Sequence, residues 1–171
     1  MNKKCIIFTI ITFVIIISGC RGPADLIDIV IDETDKHETI DEVIEIDNVW
    51  SGHPVGFCLL THRNRQYIAY YNSTRNMVVG QRDLNENKFT LLVMSPTFRE
   101  SSGGTSTVLG WDSHNSVILA VDKNGFIHLS GNMHVNPLTY FRSSKPEDIT
   151  TLEQIWSMTG LNETRCTYPK F

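Results

Sequence analysis

From residue 56 onward the chain is built of short runs rich in valine, isoleucine, tyrosine, phenylalanine and threonine, with turn-forming residues between them. Runs at 56–62, 66–72, 76–83 and 88–94 predict four strands, divided by Arg63-Asn64-Arg65, Ser73-Thr74-Arg75 and residues 84–87. The polar stretch 95–106, which holds Pro96, Gly103 and Gly104, predicts a loop. Strands resume at 115–121, 126–131 and 138–142, and Asp122-Lys123-Asn124-Gly125 supplies a hairpin turn with the glycine such turns favour. Pro146-Glu147-Asp148 predicts a short helical turn before a last run at 151–155. The two groups look like copies: Tyr67-Ile68-Ala69-Tyr70 aligns with Phe126-Ile127-His128-Leu129 at an offset of 59, and Val79-Gly80-Gln81-Arg82 with Thr139-Tyr140-Phe141-Arg142 at 60. Antiparallel four-stranded units that recur with an insertion between them predict an all-β chain, the N-terminal two to three blades of a β-propeller. A small sandwich or meander whose strands match by composition is the alternative.

The first part of the chain reads differently. Lys3 and Lys4 precede an apolar run over 6–17 that ends in Ser18-Gly19-Cys20, a pattern of export signals, so residues 1–19 are expected to be removed. The run is shorter than the roughly 20 residues of a spanning helix. Residues 21–48 hold ten acids against Arg21 and Lys36, a net of −8, while the remaining 123 residues hold nine acids and eleven Lys or Arg, a net of +2. Self-repulsion extends such acidic segments, so 20–48 is expected to be a solvated linker and 49–171 the domain. The alternation over 40–49 suggests that the end of the linker already enters a strand. A calcium site in the acidic stretch lacks a ligand loop of defined spacing. Of the four cysteines, Cys5 leaves with the signal; Cys58 and Cys166, 108 positions apart with no framework around them, are expected to be free thiols.

Two resemblances sharpen this reading. Ile17-Ser18-Gly19-Cys20 resembles the lipobox of bacterial lipoproteins, which implies lipidation at Cys20, attachment to a membrane through the lipid, and a place in the bacterial cell envelope at the outer membrane or cell surface. Arg21 is unlike the aspartate that often marks inner-membrane retention. Further on, Val49-Trp50-Ser51-Gly52-His53-Pro54-Val55-Gly56-Phe57, Gly110-Trp111-Asp112-Ser113-His114-Asn115-Ser116, Gly131-Asn132-Met133-His134, Tyr140-Phe141-Arg142-Ser143 and Arg165-Cys166-Thr167-Tyr168-Pro169 resemble the bacterial-neuraminidase-repeat (BNR) family of secreted proteins. That family includes seven-bladed propeller lyases acting on ulvan, a sulfated uronic-acid polymer. The resemblance implies a polysaccharide substrate or ligand of the uronic-acid type. It also implies a chain covering about two blades and the opening of a third, hence a fragment expected to be inactive alone.

Eliminative cleavage of a uronic-acid polymer must neutralise the carboxylate, remove the α-proton and protonate the leaving glycosidic oxygen. Histidine suits the proton transfers because it titrates near neutrality. In the lyases that the chain resembles, two histidines about twenty positions apart work with a tyrosine and an arginine from later blades. His114 and His134 match that pair, so the resemblance implies His114 as the proton-transfer residue and His134 as its companion in binding or charge neutralisation. Asn115, Arg142 and His53 are the candidate substrate contacts. Each has a plainer reading: a turn bond for His114 and His53, a loop position for His134, a surface role for Arg142. His128, between Ile127 and Leu129, reads as structural.

Other chemistries have less behind them. A non-catalytic carbohydrate-binding propeller and a sialidase-like glycoside hydrolase are the alternatives. For the latter, Asp122-Lys123-Asn124-Gly125 places two residues between Asp and Gly where the Asp box of such families places one. Asp112 is the sole acid in the well-matched motifs, which speaks against a paired-carboxylate glycosidase. Ser101-Ser102-Gly103-Gly104 lacks the Lys-Ser/Thr of a phosphate loop, no spacing supports a zinc site, and no basic stripe supports nucleic acid. No cofactor is expected.

Overall fold

In the computed structural model, which describes residues 42–96 and 107–171, two β-strand groups account for the repeated pattern. In the first, β1 (Cys58–His62), β2 (Arg65–Tyr71), β3 (Met77–Asp83) and β4 (Thr90–Val93) form an antiparallel sheet in sequence order. In the second, β5 (Val117–Val121), β6 (Ile127–Gly131), β8 (Tyr140–Ser143) and β9 (Leu152–Gln154) do the same. Between β6 and β8 the chain makes an excursion, β7 (His134–Asn136), which pairs with β10 (Cys166–Thr167) as a small separate ribbon. A single 3-10 turn, Ile149–Thr151, is capped by the Asp148 carboxylate, which accepts from the Thr150 N–H at 2.9 Å. No α-helix occurs among the described residues, so the all-β, antiparallel, four-stranded expectation holds. The signal segment, Cys20 and residues 97–106 of the expected loop lie outside the described residues.

The run Tyr67–Tyr71 is buried without alternation, as is Met77 to Gly80. A sheet covered on both faces demands that, because side chains on either side must be apolar. One face of β2 and β3 (Tyr67, Ala69, Tyr71, Met77, Val79) packs on the facing side of the second sheet (Val117, Leu119, Ile127, Leu129, Phe141), with Leu109, Met94 and Ile149 closing the gap. The other face (Ile68, Tyr70, Val78, Phe89) is covered by Ile44 and Ile46. The last part of the acidic stretch is therefore held on the sheet: the Tyr70 hydroxyl donates to Asp47 at 2.8 Å, and Glu42 pairs with buried Arg82 at 3.2 Å. These residues belong to the compact unit Glu42–Phe171.

The strand pairings correct the repeat alignment. Ile68 faces Gly80 across β2 and β3, and Leu129 faces Phe141 across β6 and β8, so a single offset of 61 carries one pair onto the other. The expected offsets of 59 and 60 cannot both hold, because the two pairings require offsets that total 122, and a one-residue slip in either strand would turn every side chain to the opposite face. The first strands of both sheets also start two residues later than their β-rich runs. Gly56 and Ser116 are used between the sheets instead: the Val117 N–H donates to the Gly56 carbonyl at 3.2 Å, and a Cβ on Gly56 would come within 3.0 Å of the Ser116 Cβ.

Hairpin turns lie at one end of both sheets and tie them there. Arg63 donates to the Glu147 carboxylate at 2.9 Å and Arg65 to the Glu147 carbonyl at 2.6 Å. The opposite end, where β2 and β6 finish and β5 begins, holds the β2–β3 turn and the loops that carry the histidines.

Candidate functional site

Asp112 builds its own turn. Its Oδ1 accepts the His114 N–H at 2.9 Å, and its carbonyl accepts the Asn115 N–H at 3.3 Å, the bonding of an Asx turn. That turn places the His114 ring beside the same carboxylate, Nδ1 to Oδ1 at 2.6 Å. Asn115, just beyond it, is buried; its carbonyl accepts the Tyr71 hydroxyl at 2.8 Å, which anchors the turn on the first sheet.

The second histidine arrives from the other loop. β6 ends at Gly131, where a Cβ would lie 2.8 Å from both the Ser116 carbonyl oxygen and the Val117 Cα. The next residue, Asn132, has φ +57 and donates from Nδ2 to the Val108 carbonyl at 2.8 Å, linking this loop to the one that holds Asp112. Met133 is buried, and His134 opens β7, its Nδ1 2.5 Å from Asp112 Oδ2. Val135 has φ +57, and its N–H donates to Thr167 Oγ1 at 2.8 Å. A β-branched residue at positive φ is an outlier that pairing with β10 must hold in place.

Asp112 thus bridges both histidines, one oxygen to each. The His114 backbone N–H, with the His134 and His114 side chains, holds its carboxyl well below the usual carboxylate range. The imidazole rings lie 4.3 Å apart, and Tyr168 lines the site with its ring 5.7 Å from His114 and 6.4 Å from His134. His114 and His134 are 46% and 36% exposed and Asp112 33%, so the cluster is open to solvent. One donor atom from each of the three residues lies within 4.8 Å of the other two, an arrangement able to hold a metal ion.

His53 is at the same end, in an aromatic cluster. The Trp50 Nε1–H donates to His53 Nδ1 at 3.3 Å, and Trp111 packs edge-on against both, 5.6 Å from Trp50 and 5.3 Å from His53. Trp111 itself is 73% exposed, immediately before Asp112. The Asn115 Oδ1 and His53 Nε2 are buried with no hydrogen-bond partner among the described residues.

Arg142 is placed elsewhere. It faces His128 across β6 and β8, its guanidinium 4.1 Å from the Phe126 ring centroid and 3.9 Å from Asp122. His128 bonds the Tyr140 hydroxyl at 2.7 Å and lies 3.4 Å from Asp122, in line with the structural role expected for it. The structure therefore brings together His114 and His134, with Asn115 beneath them and His53 at the same end, and leaves Arg142 near the Asp122 turn. Cys58 is a free thiol, and the Cys166 Sγ–H donates to the Glu163 carbonyl at 3.6 Å.

Two residues of the site carry no catalytic or binding role in the sequence reading. Asp112 stands two residues before a histidine, the spacing of an Asx turn, and is legible there. Tyr168 is not, because the β7–β10 pairing brings it to the histidines.

The loop that leads to β10 is organised by Glu163. Its Oε1 accepts the N–H groups of Met158 and Thr159 at 2.8 and 2.6 Å, and its carbonyl accepts the Leu138 N–H at 2.8 Å. The Thr159 N–H foremost, then the Ser157 side chain, hold the Glu163 carboxyl down to about 2 from an ordinary 4.5. A depressed folded-state value means that its contribution is complete above pH 4.5 and disappears as pH falls through about 2. Glu163→Ala is expected to abolish that acid-side transition and speed amide exchange at Thr159 at neutral pH, with the melting temperature moved by no more than about 2 °C. Exchange measured by NMR would check this; unchanged protection at Thr159 would mean that the loop is held by other contacts.

A search of curated proteins finds no match to the chain. The family described as BNR repeat-containing family member matches residues 65–171, which takes in nine of the ten strands and every member of the aspartate-histidine cluster. With most of its length inside that match, the chain belongs to the BNR repeat-containing family.

Proposed function

We propose that this chain carries the histidine-bearing part of a lipid-anchored, cell-surface polysaccharide lyase that cleaves a uronic-acid polymer such as ulvan by β-elimination. Its two facing sheets then read as adjacent blades of a propeller, with the substrate on the end where the loops gather. The observation that carries the reading is the single Asp112 carboxylate bonded to both His114 and His134.

A carboxylate at Nδ1 fixes a ring's orientation and leaves Nε2 as its working atom. With Asp112 ionised throughout the working range, the cluster can hold a proton on one imidazole without repelling an incoming uronate. His134 bonds or neutralises the substrate carboxylate, which makes the neighbouring C–H acidic. His114 takes the α-proton through Nε2; the C–H electrons become the C=C bond, and the C–O bond to the leaving sugar breaks. The leaving oxygen takes up a proton from an acid in the site or from solvent.

The test is to incubate the chain with ulvan and other uronic-acid polymers and follow absorbance near about 235 nm, where the unsaturated product absorbs. A rise supports elimination. Failure of every such polymer to give product would remove the enzymatic reading from this chain.

Binding without chemistry is the second reading, and one observation favours it. Trp111 offers an exposed ring, buttressed edge-on by Trp50 and His53, of the kind on which the C–H face of a pyranose stacks. Trp111→Ala is expected to weaken polysaccharide binding about tenfold in isothermal titration without changing the fold. Unchanged affinity would mean that sugar does not stack there.

A further inference from the structure

We infer that Asp112, His114 and His134 form a binding site for a divalent transition cation of the zinc class, and that occupancy of this site excludes the proton-transfer state of the same histidines. The second half rests on the elimination reading above; the first does not.

The donor set argues for the class of ion. Two imidazole nitrogens and one carboxylate suit zinc and its neighbours, whereas calcium and magnesium favour more numerous oxygen ligands. Zinc bound by three protein groups keeps a further position open. The three donor atoms already lie within 4.8 Å of one another. A tetrahedral shell with bonds of about 2.0–2.1 Å needs them about 3.3 Å apart, so side-chain shifts of about an ångström suffice. All three side chains are partly exposed, which provides an entry path.

The backbone around His134 supports a built site. Asn132, Val135 and Tyr168 all have positive φ, +57, +57 and +52, although none is glycine. Two of them flank His134, and the third carries the ring that lies beside it. Strained residues of this kind persist where the surrounding structure enforces them, and they cluster at ligand clamps.

Occupancy changes what the histidines can do. The ring nitrogens turned toward Asp112 are the Nδ1 atoms, and each must be free of hydrogen to bind the ion. In a neutral imidazole the hydrogen moves to Nε2, which turns the proposed proton acceptor into a donor. A cation at this site therefore switches the elimination off.

The experiment titrates the full chain with Co2+, following its visible absorption, and then displaces the cobalt with Zn2+. One ion per chain is expected, with uptake lost in the His114→Ala/His134→Ala double variant and weakened about 10- to 100-fold in Asp112→Asn. His134→Gln, which preserves bulk, guards against loss through misfolding, and near-ultraviolet circular dichroism checks each variant. Absence of cobalt uptake, or uptake that survives the double variant, would overturn the site. Because uptake is read without substrate, its failure is separate from failure of the elimination assay. In a chain that does form unsaturated product, zinc inhibition reversed by a chelator is expected, and zinc-insensitive product formation by a zinc-loaded chain would overturn the exclusion.

Discussion

Replacing His114 by alanine in a version of the chain extended to a full, active propeller is expected to lower the rate of unsaturated-product formation by about 10²- to 10⁴-fold, the usual contribution of a positioned proton-transfer group. Polysaccharide binding should change little, because the Trp50–His53–Trp111 cluster does not depend on the His114 ring for any of its contacts. His134→Ala should instead raise KM as well as lower kcat, since its assigned task begins with the bound uronate. Asp112 touches no substrate in this scheme; it is a positioning residue. Asp112→Asn should reduce kcat and, through His134, raise KM by less than His134→Ala does, and ring ¹⁵N spectra should show both imidazoles leaving the tautomer with hydrogen on Nδ1. The double variant with His114→Ala should be scarcely worse than His114→Ala alone, as for groups that act as a unit. Steady-state kinetics on a uronic-acid polymer check each outcome, and retention of full turnover by His114→Ala would end its assignment as the proton-transfer residue.

The second large effect concerns the core between the sheets. Leu129 is fully buried, and its neighbours in the shared cluster come from both sheets. Leu129→Ala is expected to cost about 2–5 kcal/mol, the loss of transfer energy together with that of an incompletely collapsed cavity. For a domain of this size that is a fall of the melting temperature on the order of 10 °C. Both sheets should melt in one transition, because neither side of the cluster remains covered when the other leaves. Thermal denaturation followed by far- and near-ultraviolet circular dichroism would show it. Two separated transitions, with only one moved by Leu129→Ala, would mean that the sheets are stable independently.

The strands expected from residue 56 onward all have observed counterparts, with ends displaced by up to two residues, because their signals are local, whereas the alternation expected to enter a strand over 40–49 gives only the isolated Val49–Asn72 bridge among its described residues. β-Branched and aromatic residues between turn formers mark each strand, and Asp122 and Gly125 supply a hairpin turn: the Asp122 carboxylate caps the Asn124 and Phe126 N–H groups, and Gly125 takes φ +88. The apolar run Tyr67–Tyr71 marks a strand in the sequence, but that both of its faces are covered is a finding of the structure. The strands that the sequence pattern does not predict, β7 and β10, are three and two residues long, too short to show a period, and are held by pairing with each other.

The site divides along the same line. His114 and His134 were found through motifs, whereas Arg142, named beside them, lies on a strand pairing that directs it to Phe126 and Asp122. The Asp112–His114 contact is local, two residues apart in one turn. The Asp112–His134 contact spans 22 residues and depends on β5 pairing with β6, on Gly131 allowing close approach, and on strained Asn132 turning the chain back. Order and character of the strands follow from short-range preferences that each segment carries along with it. The meeting of two histidines on one carboxylate does not, because it depends on the register of strands distant in the chain, and a slip of one residue would send the side chains apart.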